Sequence, residues 1–333
     1  MHLLTDLRHR AEFLAAYLPC RLLRFLPYRA VCALAAFGGW CLGGVPSARR
    51  VVRANLRTAF PELPEREVAR IGRASFGHLI RNLLEFLWLD GRPDRIRRCY
   101  FLPPEITEKL KNHVARGERI IFVNPHLGSW EASGVMAPFY AGVRMAAIAK
   151  PVKNPYFNGI LNRGSREKVP GLEIIFSRGA IRTALKVLRD GRGIGTLIDQ
   201  NTRVRDGGVF VDFFGLPVPS STAPANLKAY CDLHGIPAVI IYGTSVRHAD
   251  GRITAHMEYL PKPFEAYENE TEVLQDLMKI SETYIRRYPE QYLWFYKRFQ
   301  YIPPECPQNL RARYPFYAAE ASPGFFRKTT RRE

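Results

Sequence analysis

The stretch Ile120-Ile121-Phe122-Val123-Asn124-Pro125-His126 joins an apolar run to a histidine. A short continuous run of bulky apolar side chains is typical of a strand that is buried on both faces. Asn and Pro directly after the run indicate a turn. The stretch therefore predicts a buried strand that runs into a turn and presents His126 at its end.

Strand-like and helix-like segments alternate around this stretch. Helical spacing of apolar residues occurs at 66–89, after Ser129, and at 180–189, 223–234 and 271–287, whereas strand-like patterns occur at 119–124, 144–150, 172–176, 193–198, 236–243 and 252–260. Alternation of this kind is typical of parallel strands joined by helices. We therefore predict an α/β fold with a mixed, largely parallel sheet covered by helices.

The charge of the chain is strongly basic. Its 333 residues carry a formal net charge of +18, and 47% of them are hydrophobic, which is enough for a large core. Most of the cationic residues are arginines, whose guanidinium groups pair well with phosphates and carboxylates. The partner is therefore expected to be anionic, and both nucleic acid and an anionic membrane leaflet meet that requirement.

The first 60 residues combine apolar and basic character. Residues 30–48 carry no charge over about the length of a membrane span, although their glycines weaken a helix. Arg21, Arg24 and Arg29 interrupt the preceding apolar runs, as in a helix that lies at a lipid surface. Basic residues flank the uncharged stretch on both sides, so the charge pattern fits a helix that lies in one leaflet as well as it fits a spanning helix. A buried globular helix is the alternative.

These features divide the chain into three parts. We predict an N-terminal membrane-associating helical segment at 1–60, a main domain at 61–310 and a basic C-terminal tail at 311–333. The last twenty residues are expected to be disordered, because Arg327, Lys328, Arg331 and Arg332 stand among Pro, Gly and Thr.

The cysteines and histidines show no metal-binding pattern. Six cysteines are scattered through the chain without a C-x-x-C pair, and no His or Cys pairs stand at ligand spacing. We therefore expect reduced, packed cysteines, no metal site and no bound cofactor.

His126 and Glu131 form a candidate acid–base pair with four residues between them. This separation does not place two side chains on one helix face, so the pair requires a turn that leads into a helix holding Glu131. If Ser129 caps that helix, Glu131 lies in its first turn, where the helix dipole favours a carboxylate. We predict that Glu131 contacts His126, fixes its tautomer and stabilises the imidazolium. The alternative is that the two residues have no joint role.

The run Asn124-Pro125-His126-Leu127-Gly128-Ser129-Trp130-Glu131 resembles the motif of glycerolipid acyltransferases in which four residues separate a histidine from an acid. It is most similar to the version in the lauroyl and myristoyl transferases of lipid A biosynthesis. Further blocks follow the order of that family, at 54–63, 84–86, 154–155 with Arg163 and Arg166, 197–200 with 211–215, and 289–294. The resemblance covers about residues 10–303, and six blocks in order are a specific signal.

The resemblance implies an O-acyltransferase with its catalytic domain at 61–310. Such an enzyme moves a fatty acyl chain from a thioester of acyl carrier protein or coenzyme A to a hydroxyl of a lipid A precursor. Its expected location is the cytoplasmic face of a bacterial inner membrane. Its expected partners are the donor thioester, the lipid acceptor and the membrane, without nucleic acid. Acylation of another glycolipid or of a lysophospholipid is the alternative.

Besides a base with an acid partner, this reaction needs an oxyanion site and a grip on an anionic acceptor. Gly128 and the first amides of the following helix are the candidates for the oxyanion contact. Arg163 or Arg166 is expected to hold a phosphate, with a solvated surface position as the alternative. Asp199 ends an apolar strand, where α/β folds place site residues, with turn capping as the alternative.

Two residues depart from the pattern of the resembling family. Pro125 precedes the histidine, and Tyr296 stands where lipid A enzymes often carry a histidine. Both departures leave the acyl-transfer chemistry intact and leave the acceptor open. The chain has no G-x-S-x-G elbow, so direct transfer without an acyl-enzyme follows.

Two other classes of function are alternatives to acyl transfer. A nucleic-acid-binding protein would interleave exposed aromatic residues with arginines, whereas Phe and Tyr lie here mostly in strand-like or turn blocks. An inactive membrane scaffold with the same fold is the third hypothesis. The presence of both His126 and Glu131 argues against that scaffold.

Overall fold

A computed structural model describes residues 2–149, 154–156, 166–176 and 180–327 of the chain. Its main strands, in chain order, are β1 (Tyr100–Phe101), β2 (Arg119–Asn124), β3 (Met145–Ala149), β4 (Leu172–Phe176), β5 (Gly193–Leu197), β6 (Gly208–Phe213), β7 (Leu216–Ser221), β8 (Ala238–Arg247) and β9 (Ile253–Tyr259). One seven-stranded sheet has the spatial order β1, β9, β8, β2, β5, β3, β4, and only the β8–β9 pair is antiparallel in it. The predicted α/β class with a mixed, largely parallel sheet is confirmed.

Helices precede the sheet and connect its strands. In chain order they are α1 (His2–Leu23), α2 (Tyr28–Gly44), α3 (Pro46–Ala59), α4 (Glu65–Leu89), α5 (Pro93–Cys99), α6 (Pro104–Ala115), α7 (Trp130–Ala141), α8 (Ala180–Arg189), α9 (Ala223–Leu233) and α10 (Glu270–Arg287). Short elements follow as β10 (Tyr301–Ile302), α11 (Gln308–Arg311), β11 (Ala319–Glu320) and α12 (Pro323–Phe326). The helix predicted at 66–89 and that predicted at 271–287 each begin one residue earlier than expected.

Strand β2 lies inside the sheet, between β8 and β5. Successive side chains of a strand point to opposite faces. Ile121 and Val123 pack in one hydrophobic core, while Ile120 and Phe122 pack in a second core on the other face. β2 is therefore buried on both faces, as its apolar run predicted.

The carboxyl ends of β2 and β5 lie side by side. The register pairs Asn124 with Leu197, and the amide of Ile198 donates to the carbonyl of Asn124 at 3.2 Å. The residues that follow each strand therefore leave the sheet at the same edge. This placement brings His126 and Asp199 together.

The predicted N-terminal helical segment is confirmed as α1, α2 and α3. α2 packs closely on α4, because a Cβ built on Gly39 would lie 2.5 Å from Cα of Gly77. The indole of Trp88 on α4 adds a hydrogen bond of 2.8 Å to the carbonyl of Leu26 before α2. The helical segment is therefore anchored on α4, which also reaches the functional site.

Among the described residues, no single helix combines the length and hydropathy needed to cross a bilayer. α2 and α3 pass that test only as a pair, and the chain bends by 90° between them. The bend lies at Val45, whose extended backbone suits the residue before a proline, and Pro46 opens α3. The uncharged stretch 30–48 is thus divided between two helices.

A two-residue turn at Phe214-Gly215 joins β6 to β7. Both residues have positive φ, 52° and 71°, which matches the twist of a tight hairpin. The two strands were not predicted, because Pro217 and Pro219 lie within β7 and prolines disfavour strand assignment. The paired prolines are tolerated because this separate sheet has only two strands.

The expected disorder of the last twenty residues is wrong for their described part, 314–327. Phe325 is 2% exposed, and the hydroxyl of Tyr317 donates to the side chain of Asn55 on α3. The basic composition suggested a solvated segment, but its aromatic residues supply enough apolar surface to pack against the domain. Lys328, Arg331 and Arg332 lie outside the described residues.

Candidate active site

His126 and Asp199 meet at the adjacent ends of β2 and β5. The ring Nδ1 of His126 lies 2.7 Å from Oδ1 of Asp199. The backbone N–H of His126 donates to Oδ2 of the same carboxylate, also at 2.7 Å. These two contacts fix both the orientation of the ring and the loop that carries it.

Asp199 is 2% exposed and its carboxyl is ionised. Burial alone would raise its pKa, but the charge and hydrogen bonds of His126 and the charge of Arg298 hold the pKa of Asp199 below its ordinary value. An ionised carboxylate can only accept hydrogen bonds, so Nδ1 of His126 carries the hydrogen. In the neutral form of the ring, Nε2 of His126 then keeps a lone pair, which is where a general base accepts a proton.

His126 lines a cavity of about 550 Å³. The cavity has a polar part, formed by Glu131, Arg166, Gln200 and Asn201 among others, and an apolar part on the sheet, formed by residues such as Met145, Ala147, Leu172, Ile174 and Leu197. A cavity that combines convergent polar groups with an apolar wall suits an amphipathic substrate.

Gln200 contacts the atom of His126 that the reaction would use. Its Nε2 lies 3.3 Å from Nε2 of His126. Because the ring atom is an acceptor in this tautomer, the Gln200 amide is the donor. A substrate hydroxyl that approaches the base must therefore take the place of the Gln200 amide.

The structure corrects the predicted contact between Glu131 and His126. In the described part of the chain, Glu131 makes no hydrogen bond or ion pair to the ring; its carboxylate accepts from Nε of Arg166 at 3.0 Å and from Nη2 of the same side chain. Glu131 does lie in the first turn of α7, as predicted. Asp199 takes the expected place of Glu131 because the neighbouring strand end carries it directly to Nδ1 of His126.

Arg166 lies in the wall of the cavity and not on the solvated surface. Its side chain is 20% exposed and that of Glu131 is 18% exposed. Its guanidinium also lies over the ring of Phe86, 5.7 Å from the centroid. Arg163 lies outside the described residues. A phosphate-holding role for either arginine stays a prediction.

Gly128 shapes the loop but does not offer its amide to a substrate. Its φ is +63°, and a Cβ at this position would lie 1.9 Å from the carbonyl oxygen of Ser245, so only glycine fits. Its N–H donates to the carbonyl of Gln291 at 2.9 Å, and the N–H of Ser129 donates to the carbonyl of Ser245 at 2.8 Å. The predicted oxyanion contact of Gly128 is therefore wrong, because its donor is already used.

The first amides of α7 remain candidates for that contact. Ser129 stands at the N-cap position, but its hydroxyl donates to Oδ1 of Asn82 at 2.8 Å and does not cap the helix. Among the described residues, the N–H groups of Trp130 and Glu131 have no acceptor. The ring of Trp130 packs edge-on against His126, with 5.3 Å between centroids. The helix therefore begins beside the base with two available donors.

A buried polar network supports the His126 loop from below. The side chain of Gln291 accepts from the N–H of Arg247 at 2.9 Å and donates to its carbonyl at 2.8 Å. Arg247 in turn donates to both carboxylate oxygens of Glu85, at 2.8 and 2.6 Å, and Glu85 is 0% exposed. This network positions Gln291, whose carbonyl holds the amide of Gly128.

Three residues contact the site without having been predicted there. Gln200 and Gln291 lie in the 197–200 and 289–294 blocks, so the resemblance located them but did not single them out. Asn82 lies on the amphipathic helix α4, where it is 2% exposed. An amide at an apolar helix position was the available signal for it, because a buried amide needs a partner.

Comparisons with known proteins show what the whole chain is similar to. The family model described as bacterial lipid A biosynthesis acyltransferase matches residues 2–301. The lipid A biosynthesis palmitoleoyltransferase of Escherichia coli K12 is 25% identical over 284 residues, which are 84% of this chain and 87% of that protein. A lipid A biosynthesis acyltransferase of Haemophilus influenzae is 23% identical, with 86% and 89% of the two chains covered. The lipid A biosynthesis lauroyltransferase of Escherichia coli K12 is 22% identical, with 85% and 88% covered.

Replacing Gly128 by alanine tests how tightly the loop is fixed. Gly235 provides a matched control, because its φ is also +63° but nothing lies within 4 Å of the position of its Cβ. We expect Gly235→Ala to lower the free energy of unfolding by about 1–2 kcal/mol, the cost of the left-handed conformation. Gly128→Ala should lose more than about 3 kcal/mol, because overlap with Ser245 adds to that cost. Denaturant unfolding followed by tryptophan fluorescence measures both, and equal losses would show that the loop yields easily.

Proposed function

The chain belongs to the bacterial lipid A biosynthesis acyltransferase family, and from that premise we propose its substrates and mechanism. Membership makes it an O-acyltransferase of lipid A synthesis. We propose that the donor is a fatty acyl thioester of acyl carrier protein or coenzyme A, and that the acceptor is a hydroxyl of a lipid A precursor. The observation that carries this proposal is the buried His126–Asp199 pair, with the lone pair of Nε2 directed at Gln200 in the cavity wall.

In the proposed reaction, His126 acts as the general base. The acceptor hydroxyl oxygen bonds to the thioester carbonyl carbon while its proton passes to Nε2 of His126. The resulting imidazolium is stabilised by the carboxylate of Asp199, which keeps its own charge. When the tetrahedral intermediate collapses, the carbon–sulfur bond breaks, and the sulfur takes the proton back from His126. The base is thus restored after each transfer without an acyl-enzyme.

The amides of Trp130 and Glu131 are proposed to stabilise the oxyanion of the tetrahedral intermediate. They are available donors at the positive end of α7, which begins where the His126 loop ends. The apolar wall of the cavity is proposed to receive the acyl chain. Gly195 leaves room for the Met145 side chain in that wall, because a Cβ there would lie 2.8 Å from Cε of Met145.

Arg166 is proposed to hold an anionic group of the acceptor, with Glu131 as the residue that positions it. The two hydrogen bonds from Arg166 to the Glu131 carboxylate hold the guanidinium in one orientation in the cavity wall. A guanidinium that already lies in a largely buried site can bind a phosphate in a charge-assisted, bidentate contact. Glu131 would thus contribute through Arg166 and through its amide, and not through the ring of His126.

We further propose that α1, α2 and α3 hold the enzyme at the cytoplasmic face of the bacterial inner membrane. Large apolar side chains are exposed on α1, on α2 and in the turn between them, including Leu14, Leu18, Phe25, Phe37 and Trp40. Exposed apolar residues in such numbers mark an interaction surface, and arginines lie beside them.

The base and its carboxylate partner can be tested by substitution. His126→Ala and Asp199→Asn should each lower kcat by about 100- to 10,000-fold, the usual contribution of general-base catalysis. The double variant should be little slower than His126→Ala, because the carboxylate acts through the ring. Rates are measured on purified, folded protein with a lipid A precursor and a thioester donor. His126→Ala activity above about a tenth of the wild-type rate would exclude the proposed base.

The Glu131–Arg166 pair should affect acceptor use. We expect Arg166→Lys and Glu131→Gln each to lower kcat/KM for the acceptor about tenfold or more, because Lys cannot form the fork. The double variant should resemble the weaker single one. Arg192→Lys is the matched control, since that side chain is 19% exposed and paired with Glu173 outside the cavity. Unchanged acceptor kinetics for Arg166→Lys would move the phosphate contact elsewhere, with Arg163 to be tested next.

Membrane attachment should resist salt. Because α1 and α2 expose large apolar side chains as well as charged ones, screening of charge removes only part of the binding energy. After fractionation, the enzyme should stay in the membrane pellet through a salt wash and be released by detergent. A concentration of about 1 M salt is used because it shortens the screening length to roughly 3 Å. Complete release by salt alone would show that the contact is electrostatic.

A further inference from the structure

A second cavity lies in the N-terminal helices, apart from the catalytic one. It has a volume of about 420 Å³ and is the cleft between α3 and α4, closed at one end by the end of α2. The two cavities have no lining residue in common. The proposed reaction makes no use of this cleft.

The rim of the cleft is cationic. Arg49, Arg50, Arg53 and Arg73 line it together with Glu65 as the single carboxylate, so these five residues sum to a charge of +3. Glu65 is paired with Arg53 at 2.9 Å, and Arg50 lies over the ring of Phe316. In the part of the chain that the structure describes, Arg49 and Arg73 have no carboxylate partner.

The floor of the cleft is apolar. Val52, Val68 and Phe76 form it and are buried. Two glycines keep it open: a Cβ on Gly43 would lie 3.2 Å from the ring of Phe76, and one on Gly72 would lie 3.3 Å from Cγ1 of Val52. Val52, Val68 and Phe76 are each at most 2% exposed, so a hydrocarbon chain would gain little by covering them and would instead cover the exposed side of α2.

The cleft adjoins the exposed apolar side of α2. Leu34, Phe37 and Trp40 are 45%, 62% and 74% exposed and lead along this helix toward Gly43. The 90° bend after α2 then turns α3 and its arginines away from that direction. The apolar side of α2 and the cationic rim are therefore adjacent, as are the hydrocarbon chain and the anionic headgroup of an amphipathic molecule.

We propose that this cleft binds one anionic phospholipid of the membrane, with the phosphate on Arg49 and Arg73 and an acyl chain that leaves the cleft along Phe37 and Trp40 of α2. The charge of the rim matches the phosphate, and the exposed apolar side of α2 matches the chain. The bound lipid is a structural ligand and is not consumed by acyl transfer. It would tie the bend between α2 and α3 to the bilayer surface.

Native mass spectrometry of the purified full chain in detergent, titrated with dioleoylphosphatidylglycerol, tests the proposal. Two variants remove the site in independent ways. Ala69→Trp fills the cleft from a half-exposed position on α4, and Arg49→Gln with Arg73→Gln removes the unpaired cations. The control, Arg66→Gln with Lys111→Gln, removes the same charge from exposed residues outside the cleft.

We expect the wild type to retain one tightly held phosphatidylglycerol, and both site variants to bind it about tenfold more weakly, with the control within about twofold. Inorganic phosphate should not compete, because it lacks the hydrocarbon part. Retention of the lipid by Ala69→Trp would overturn the proposal, as would equal loss in the control or displacement by inorganic phosphate. If Ala69→Trp unfolds, Ala69→Leu and the arginine variant decide between these outcomes.

Discussion

The ionised carboxylate of Asp199 is the interaction on which the catalytic arrangement depends. It is buried, and it stays charged because His126 supplies both a ring hydrogen bond and an amide hydrogen bond to it. Leaving such a carboxylate without its partner costs several kcal/mol, so the ring and the carboxylate hold each other in place. Parallel pairing of β2 with β5 makes the contact possible, because it carries both residues to one edge of the sheet.

The loop from His126 to Ser129 is fixed from several directions at once. Its amides donate to Asp199, Gln291 and Ser245, and the hydroxyl of Ser129 donates to Asn82 on α4. α4 also carries Glu85 and packs on α2, so the N-terminal helices and the site share one support. Attachment to a membrane through these helices would therefore set the position of the catalytic cavity relative to the lipid surface.

Most of the fold could be predicted from the sequence, because the strands of a covered parallel sheet are short apolar runs separated by amphipathic helices. The hairpin of β6 and β7 was missed, since its prolines oppose strand assignment and only its isolation from other strands permits them. Asp199 was predicted as a site residue from its place at a strand end. Its contact with His126 was not predicted, because Glu131 is nearer to His126 in the sequence. The sequence does not show that the Glu131 carboxylate pairs with Arg166 instead.

The tautomer of His126 is the most direct test of this account. Long-range ¹H–¹⁵N correlation spectra of histidine-labelled protein distinguish a ring protonated at Nδ1 from one protonated at Nε2. The account predicts that neutral His126 carries its hydrogen on Nδ1, that Asp199→Asn removes this preference, and that Glu131→Gln preserves it. A neutral ring protonated at Nε2, or a preference that is lost in Glu131→Gln and kept in Asp199→Asn, would contradict it.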